Sequence, residues 1–209
     1  MLNKTIMIFD LWQTLADSPI KPSNLFDELF PDDKTISREF FLETLFSSDL
    51  YTKNIPLEES LNNFLSDLKI DDEEKLKKII YLWEKMAQKS FLIEGAGEII
   101  LSLKKKGYKI CLLTNIDKYG YDNFPYKDFL DLFDYQFLSY KNNLIKPNTK
   151  CWEIIKNHYQ TGYENMIMIG DSLTSDISSA KNIGLQTIRV DLSKKDNVYK
   201  EIYSKFINN

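Results

Sequence analysis

Ile6-Met7-Ile8-Phe9-Asp10-Leu11-Trp12-Gln13-Thr14-Leu15 reads as a buried strand that ends on a carboxylate. Met166-Ile167-Met168-Ile169-Gly170-Asp171-Ser172-Leu173-Thr174-Ser175-Asp176 repeats the pattern, this time with two carboxylates five residues apart. Both runs are continuously apolar, as in parallel strands covered on both faces. Five such runs occur: Thr5–Phe9, Lys109–Leu113, Tyr135–Leu138, Met166–Ile169 and Gln186–Val190. Helical patterns separate most of them. Glu98–Lys106 stops at Gly107, a residue suited to a helix end. Asn148–Tyr159 follows Pro147, and Thr174–Ile183 stops at Gly184. This alternation predicts an α/β fold, a Rossmann-like parallel sheet flanked by helices and joined by right-handed crossovers.

Residues 16–92 break the rhythm. Leu57, Leu61, Phe64, Leu65 and Leu68 repeat at helical spacing, as do Leu76, Ile79, Ile80, Trp83 and Met86. Asp71 with Glu74 resembles a capping box opening the second of these helices. Ser23–Phe30 and Ile36–Phe46 also read as helices. The division expected is a core of residues 1–15 and 93–209, with an all-helical domain of residues 16–92 inserted after the first strand. In an open parallel sheet, ligands bind beyond the carboxyl ends of the strands. Asp10, Thr114 and Asp171 fall at those ends, and the insert leaves by the same edge, where it can form a lid.

Composition bounds the function. The chain has 209 residues, 43% hydrophobic and 28% charged, with a net charge of −4. Residues 16–92 hold 16 acidic and 10 basic residues, so the excess negative charge lies in the insert. No basic face points to nucleic acid. Lys104-Lys105-Lys106 fits the last turn of a helix, where the dipole favours cations. No apolar stretch reaches membrane-span length. Asp10 interrupts the first apolar run too early for a secretory leader. Cys111 and Cys151 lack metal-ligand spacing and read as buried thiols. The expectation is a soluble protein of the cytoplasm, with no nucleic-acid or membrane partner and no readable oligomeric state.

The candidate chemistry sits at the strand ends. From its position alone, Asp10 can be a nucleophile, a metal ligand or a helix cap. Thr114-Asn115 offers a hydroxyl, a side-chain amide and backbone N–H groups suited to phosphate oxygens, and is equally ordinary turn chemistry. Lys146, before Pro147, would balance clustered carboxylates. Asp171 and Asp176 with Asp10 would give a hard, oxygen-rich site suited to Mg²⁺. His158, the sole histidine, falls at an exposed helix end and is not expected to act. The insert's many aromatic residues read as bundle core.

Asp-x-x-x-Thr, Thr-Asn, Lys-Pro and Gly-Asp-Ser-x-x-x-x-Asp, in that order, resemble the haloacid dehalogenase-like (HAD) hydrolase superfamily. The helical insert looks like its four-helix type of cap. The resemblance implies Asp10 as nucleophile, forming an aspartyl-phosphate on a small phosphorylated metabolite. It implies Mg²⁺ held by Asp10, Asp171 and the Trp12 backbone carbonyl. Thr114, with Asn115 and neighbouring amides, would bind phosphate, and Thr14 would brace the loop. Lys146 would stabilise charge, positioned by Asp176. One residue departs from the pattern. Phosphatases of the superfamily usually carry a second Asp where this chain has Trp12, and Trp cannot serve as acid or base. Its loss is worth 10²–10⁴-fold for a poor leaving group, by the typical contribution of general acid–base catalysis. The 2-haloacid dehalogenases carry an aromatic residue there, and they hold substrate with an Arg of the cap, for which Arg38 is the candidate. Asp17 is the nearest carboxylate that could replace the missing acid. Three readings follow: a phosphatase or phosphotransferase, a dehalogenase-like hydrolase, and a phosphate-binding module with little turnover.

Overall fold

β1 (Ile6–Phe9) lies at the centre of a five-stranded parallel sheet, flanked by β4 (Lys109–Thr114) and β6 (Met166–Gly170). β5 (Tyr135–Leu138) and β7 (Gln186–Arg189) form the edges, giving the order β5-β4-β1-β6-β7. The structure, a computed structural model, describes residues 5–31, 35–193 and 199–208. The three central runs are strands covered on both faces, whereas the edge strand β7 leaves Gln186 and Arg189 exposed. Met7, Phe9, Ile110, Leu112, Ile167 and Ile169 point into one core, and Ile6, Ile8, Cys111, Leu113, Met166 and Met168 into the other. Phe9 is level with Leu112 and with Ile169. The residues that follow therefore emerge side by side at one edge of the sheet.

Just past that edge the chain turns through β2 (Ala16–Asp17), which pairs antiparallel with β3 (Phe91–Leu92). Outgoing and returning chains thus run together. Between them lie α1 (Pro22–Leu29), α2 (Arg38–Ser47), α3 (Leu57–Asp67) and α4 (Glu73–Gln88). These helices bury their own cluster, including Leu25, Phe41, Leu61, Phe64, Ile79 and Trp83, each at most 1% exposed. Burying each such side chain is worth about 1.5–3 kcal/mol. Ser37 caps α2 by accepting from the Phe40 N–H. α4 is capped by Asp72, not by Asp71 as the sequence pattern implied. Asp72 Oδ1 accepts from the N–H groups of Glu74 and Lys75, whereas Asp71 lies one residue too far out.

α5 (Ala96–Lys105), α6 (Lys118–Asp122), α7 (Lys127–Leu130), α8 (Ser139–Asn142), α9 (Lys150–Tyr159) and α10 (Ser179–Asn182) complete the layers. The helix expected over Thr174–Ile183 instead begins as a wide π-type turn, Leu173–Ser178, before α10. No helix among the described residues is long and apolar enough to cross a membrane.

Candidate active site

Asp10 is the first residue beyond β1, and its N–H donates to the Ile169 carbonyl at 2.9 Å. That bond carries the sheet ladder one residue further and fixes the carboxylate at the strand end. Across it sits Lys146, in the loop between α8 and α9. Its ammonium donates to Asp10 Oδ1 at 2.7 Å and to Asp176 Oδ1 at 2.6 Å. All three side chains are under 10% exposed. Asp176 Oδ2 accepts from the Ser172 N–H at 3.1 Å, so both of its oxygens are engaged. Gly170 makes room for this. A Cβ there would lie 2.4 Å from Asp176 Oδ2.

Oxygens of Asp10, Asp171 and Asp176 all lie within 4.8 Å of one another. With Asp176 committed to Lys146 and Ser172, Asp10 keeps one oxygen free of hydrogen bonds among the described residues, while Asp171 is met only by its own N–H and that of Ser172. Three carboxylates against one ammonium leave an excess of negative charge. Burial raises the Asp10 carboxyl to about 7; Lys146 opposes the shift, and Asp176 and Asp171 add to it. Burial and Asp176 also raise Asp171. Burial works against the Lys146 ammonium, but Asp10 and Asp176 outweigh it and raise its pKa. A hard divalent cation is the group this donor set fits.

The remaining residues fall as follows. The turn after Asp10 is closed by Leu11 and Ala16 carbonyls, which leaves the Trp12 carbonyl outside its backbone hydrogen bonds. The half-buried Trp12 ring lines the cavity and meets Phe124 edge-on at 6.0 Å. Thr14 and Thr114 are fully buried, and neither hydroxyl has a partner. An unmade hydrogen bond of this kind costs about 1–3 kcal/mol. The Thr14 carbonyl accepts from the Tyr199 hydroxyl at 2.8 Å, so the C-terminal segment braces the loop.

Asn115 has a role that the sequence did not show. Its Nδ2 donates to the Lys146 carbonyl at 3.0 Å, and its Oδ1 accepts from the Lys146 N–H at 2.8 Å. The amide holds the lysine's backbone, and Asn115 also lines the cavity. Arg38 differs from expectation. It is exposed, pairs with Asp27, lies over the Phe26 ring and does not line the cavity. Nothing brings it toward Asp10, because α2 presents it to the α1 surface. His158 stacks on Tyr135 at 4.0 Å, away from the cavity. Cys111 and Cys151 are free, buried thiols.

A cavity of about 650 Å³ opens over Asp10, Lys146, Asp171 and Asp176. Its far walls come from the helical unit, through Phe46, Tyr51, Trp83 and Met86. Sequence reasoning assigned these aromatics to the bundle core. Tyr51 and Trp83 belong to that core and also face the cavity. Asp117 was missed altogether. It caps α6 through the Gly120 N–H at 2.8 Å, lines the cavity, and is raised by burial. The Trp83 indole N–H lies near enough to favour its charged form without closing a hydrogen bond of ordinary geometry. Asp117-x-x-Gly120 is an N-cap pattern legible in the sequence.

A central parallel sheet in the order β5-β4-β1-β6-β7, covered by helices and carrying carboxylates at its carboxyl edge, is a Rossmann-like α/β fold. The profile of the haloacid dehalogenase-like hydrolases matches residues 7–190, and the chain belongs to that family. It is 29% identical to a glyceraldehyde 3-phosphate phosphatase of Pyrococcus furiosus over 119 residues, 55% of this chain and 49% of that protein. It is 30% identical to a pyrimidine 5'-nucleotidase of Streptococcus pneumoniae over 106 residues, 49% of this chain and 44% of that one. The chain thus spans about half the length of the curated relatives it matches. A HAD family enzyme of Bacteroides thetaiotaomicron, solved as a magnesium complex, superposes with a TM-score of 0.67 at 17% identity. That match covers 97% of this chain and 100% of the other, and it shows the fold.

Proposed function

We propose that the chain is a Mg²⁺-dependent phosphoester hydrolase or phosphotransferase working through Asp10. The observation that carries this is Lys146, buried and bonded to both Asp10 and Asp176, with Asp171 beside them. Asp10, Asp171 and the Trp12 carbonyl would hold the metal, which would neutralise phosphate charge and fix its orientation when bound. Asp10 forms a bond to phosphorus as the ester P–O bond breaks, giving an aspartyl-phosphate that water then hydrolyses. Lys146 keeps a positive charge against the attacking carboxylate and the transferring oxygens. Asp176 and Asn115 act on Lys146, one on its ammonium and the other on its backbone. The orphaned Thr114 hydroxyl is the group that a phosphate oxygen would satisfy. The named relatives act on glyceraldehyde 3-phosphate and on pyrimidine nucleotides, and a small phosphomonoester is the substrate class we adopt. The helical unit serves as a cap that excludes water from the intermediate.

Trp12 leaves no acid at its position, so a leaving group that departs without a proton is favoured. Trp12 is also what a dehalogenase-like reading rests on. Arg38, its other support, lies outside the cavity, and Asp171 supplies a metal seat that carbon–halogen hydrolysis does not use. The test is hydrolysis of para-nitrophenyl phosphate and acetyl phosphate, with Mg²⁺ or with EDTA. Turnover should need the metal and vanish in Asp10→Asn, and Trp12→Asp should raise turnover of an alkyl phosphate by 10-fold or more, on the order of a general-acid contribution, while changing that of the aryl and acyl phosphates much less. Metal-independent turnover, or activity in Asp10→Asn, would overturn the reading. Halide release from 2-chloropropionate without phosphatase activity would replace it.

A further inference from the structure

The cavity has two unlike ends. At the sheet edge are the carboxylates and Lys146. At the other, Phe46 lies 5.7 Å from Tyr51, and Tyr51 lies 6.3 Å from Trp83, which makes one continuous aromatic wall. Ile20, Met86, Ala87 and Ile145 also line the cavity, as does Trp12, two residues from Asp10. A wall of this kind favours a flat apolar body over a heavily hydrated one.

The charges on the wall are negative. Asp17, Glu43 and Asp117 line it, each from a different element. Among the described residues lining the cavity there are two cations, and both are already paired. Lys21 pairs with Asp17, and Lys146 with Asp10 and Asp176. A second phosphate or a carboxylate on the organic part of a substrate would therefore enter without a free cation to meet it and against Glu43 and Asp117, since the Asp17 charge is offset by Lys21. Such mismatch is a strong source of discrimination between otherwise similar ligands.

We propose that this pocket selects phosphoesters whose organic part is aromatic or apolar and carries no negative charge, and that it excludes phosphorylated acids and bisphosphates. The inference rests on the phosphoester reading above and concerns the half of the substrate that is not transferred. It also fits Trp12, since an aryl oxygen leaves without protonation.

The test is calorimetric binding of three phosphonates to the wild-type chain in excess Mg²⁺: methylphosphonate, benzylphosphonate and 4-carboxybenzylphosphonate. Benzylphosphonate should bind at least about tenfold more tightly than methylphosphonate, from the apolar area its ring covers. The added carboxylate should cost about tenfold again, on the order of one unscreened like charge at close range. Glu43→Arg, at an exposed position on α2, should narrow the gap between the two benzyl compounds. Equal affinity with and without the carboxylate, or no gain from the ring, overturns the inference. If para-nitrophenyl phosphate is nevertheless turned over, the phosphoester reading survives that result. If none of the three binds and no phosphate ester is hydrolysed, both fall together.

Discussion

Asp10→Asn should make the metal-free protein more stable, and the gain should grow with pH. Folding raises the Asp10 carboxyl from 3.8 to about 7, chiefly by burial. An acid whose pKa is raised on folding contributes most stability below its unfolded pKa. That contribution falls as pH rises from about 3.8 to about 7 and stays lost above. At about 1.4 kcal/mol per unit, the ionised side chain costs on the order of 4 kcal/mol near pH 8 and under about 2 near pH 5. Asn cannot ionise, yet its Oδ1 can still accept from Lys146, which keeps Asp176 as its other partner. The assay is urea unfolding in EDTA at several pH values, for both proteins. At roughly 2–4 °C per kcal/mol for a chain of this size, a thermal scan near pH 8 should also show a clear rise in Tm. Mg²⁺ should then stabilise the wild type much more than the variant, because the metal binds the charge that Asn lacks. A variant less stable than wild type near pH 8, or an offset that does not change with pH, would refute the argument.

Three further outcomes follow from the same geometry. Lys146→Met should leave three carboxylates without a cation, abolish turnover, and lower stability in EDTA by about 3–5 kcal/mol, the cost of breaking a buried pair, as read by urea unfolding. Gly170→Ala should drive a methyl group into Asp176, 2.4 Å away, and reduce kcat at least about tenfold, as judged by steady-state kinetics on an aryl phosphate. Tyr199→Phe should remove the hydrogen bond to the Thr14 carbonyl, at a cost of about 1 kcal/mol in thermal unfolding, with metal affinity little changed.

The sequence carried the sheet and its chemistry because both are local. Five apolar runs marked the five strands, and Asp10 and Asp171 were marked by the strands they follow. The Lys146 interest came from its company, and the structure puts that company 2.6 and 2.7 Å away. What did not show was pairing at long range. That Asn115 holds the Lys146 backbone was hidden because its partner lies 31 residues away in the chain. Tyr199 reaches across 185 residues to Thr14, and no local pattern marks such a contact. Arg38 looked functional because it lies in the helical insert, but that placement says nothing about which way α2 faces. The aromatic wall was hidden for a related reason. Helical spacing shows that Trp83 is buried, and not that one of its faces meets a cavity.

Trp12 and the acid cluster bear on each other. A second carboxylate at position 12 would add to Asp10, Asp171 and Asp176 in a site where burial already holds Asp10 near 7. An indole there adds no charge. It also joins the cavity's apolar lining next to the metal seat and packs on Phe124. Catalytic power toward poor leaving groups would be exchanged for a drier pocket and a less strained charge balance. Trp12→Asp separates these effects. If the exchange is real, the variant should gain turnover on alkyl phosphates, lose affinity for benzylphosphonate, and unfold more readily in EDTA at high pH. A gain in turnover with no loss in the other two measurements would show that Trp12 does no more than fill space.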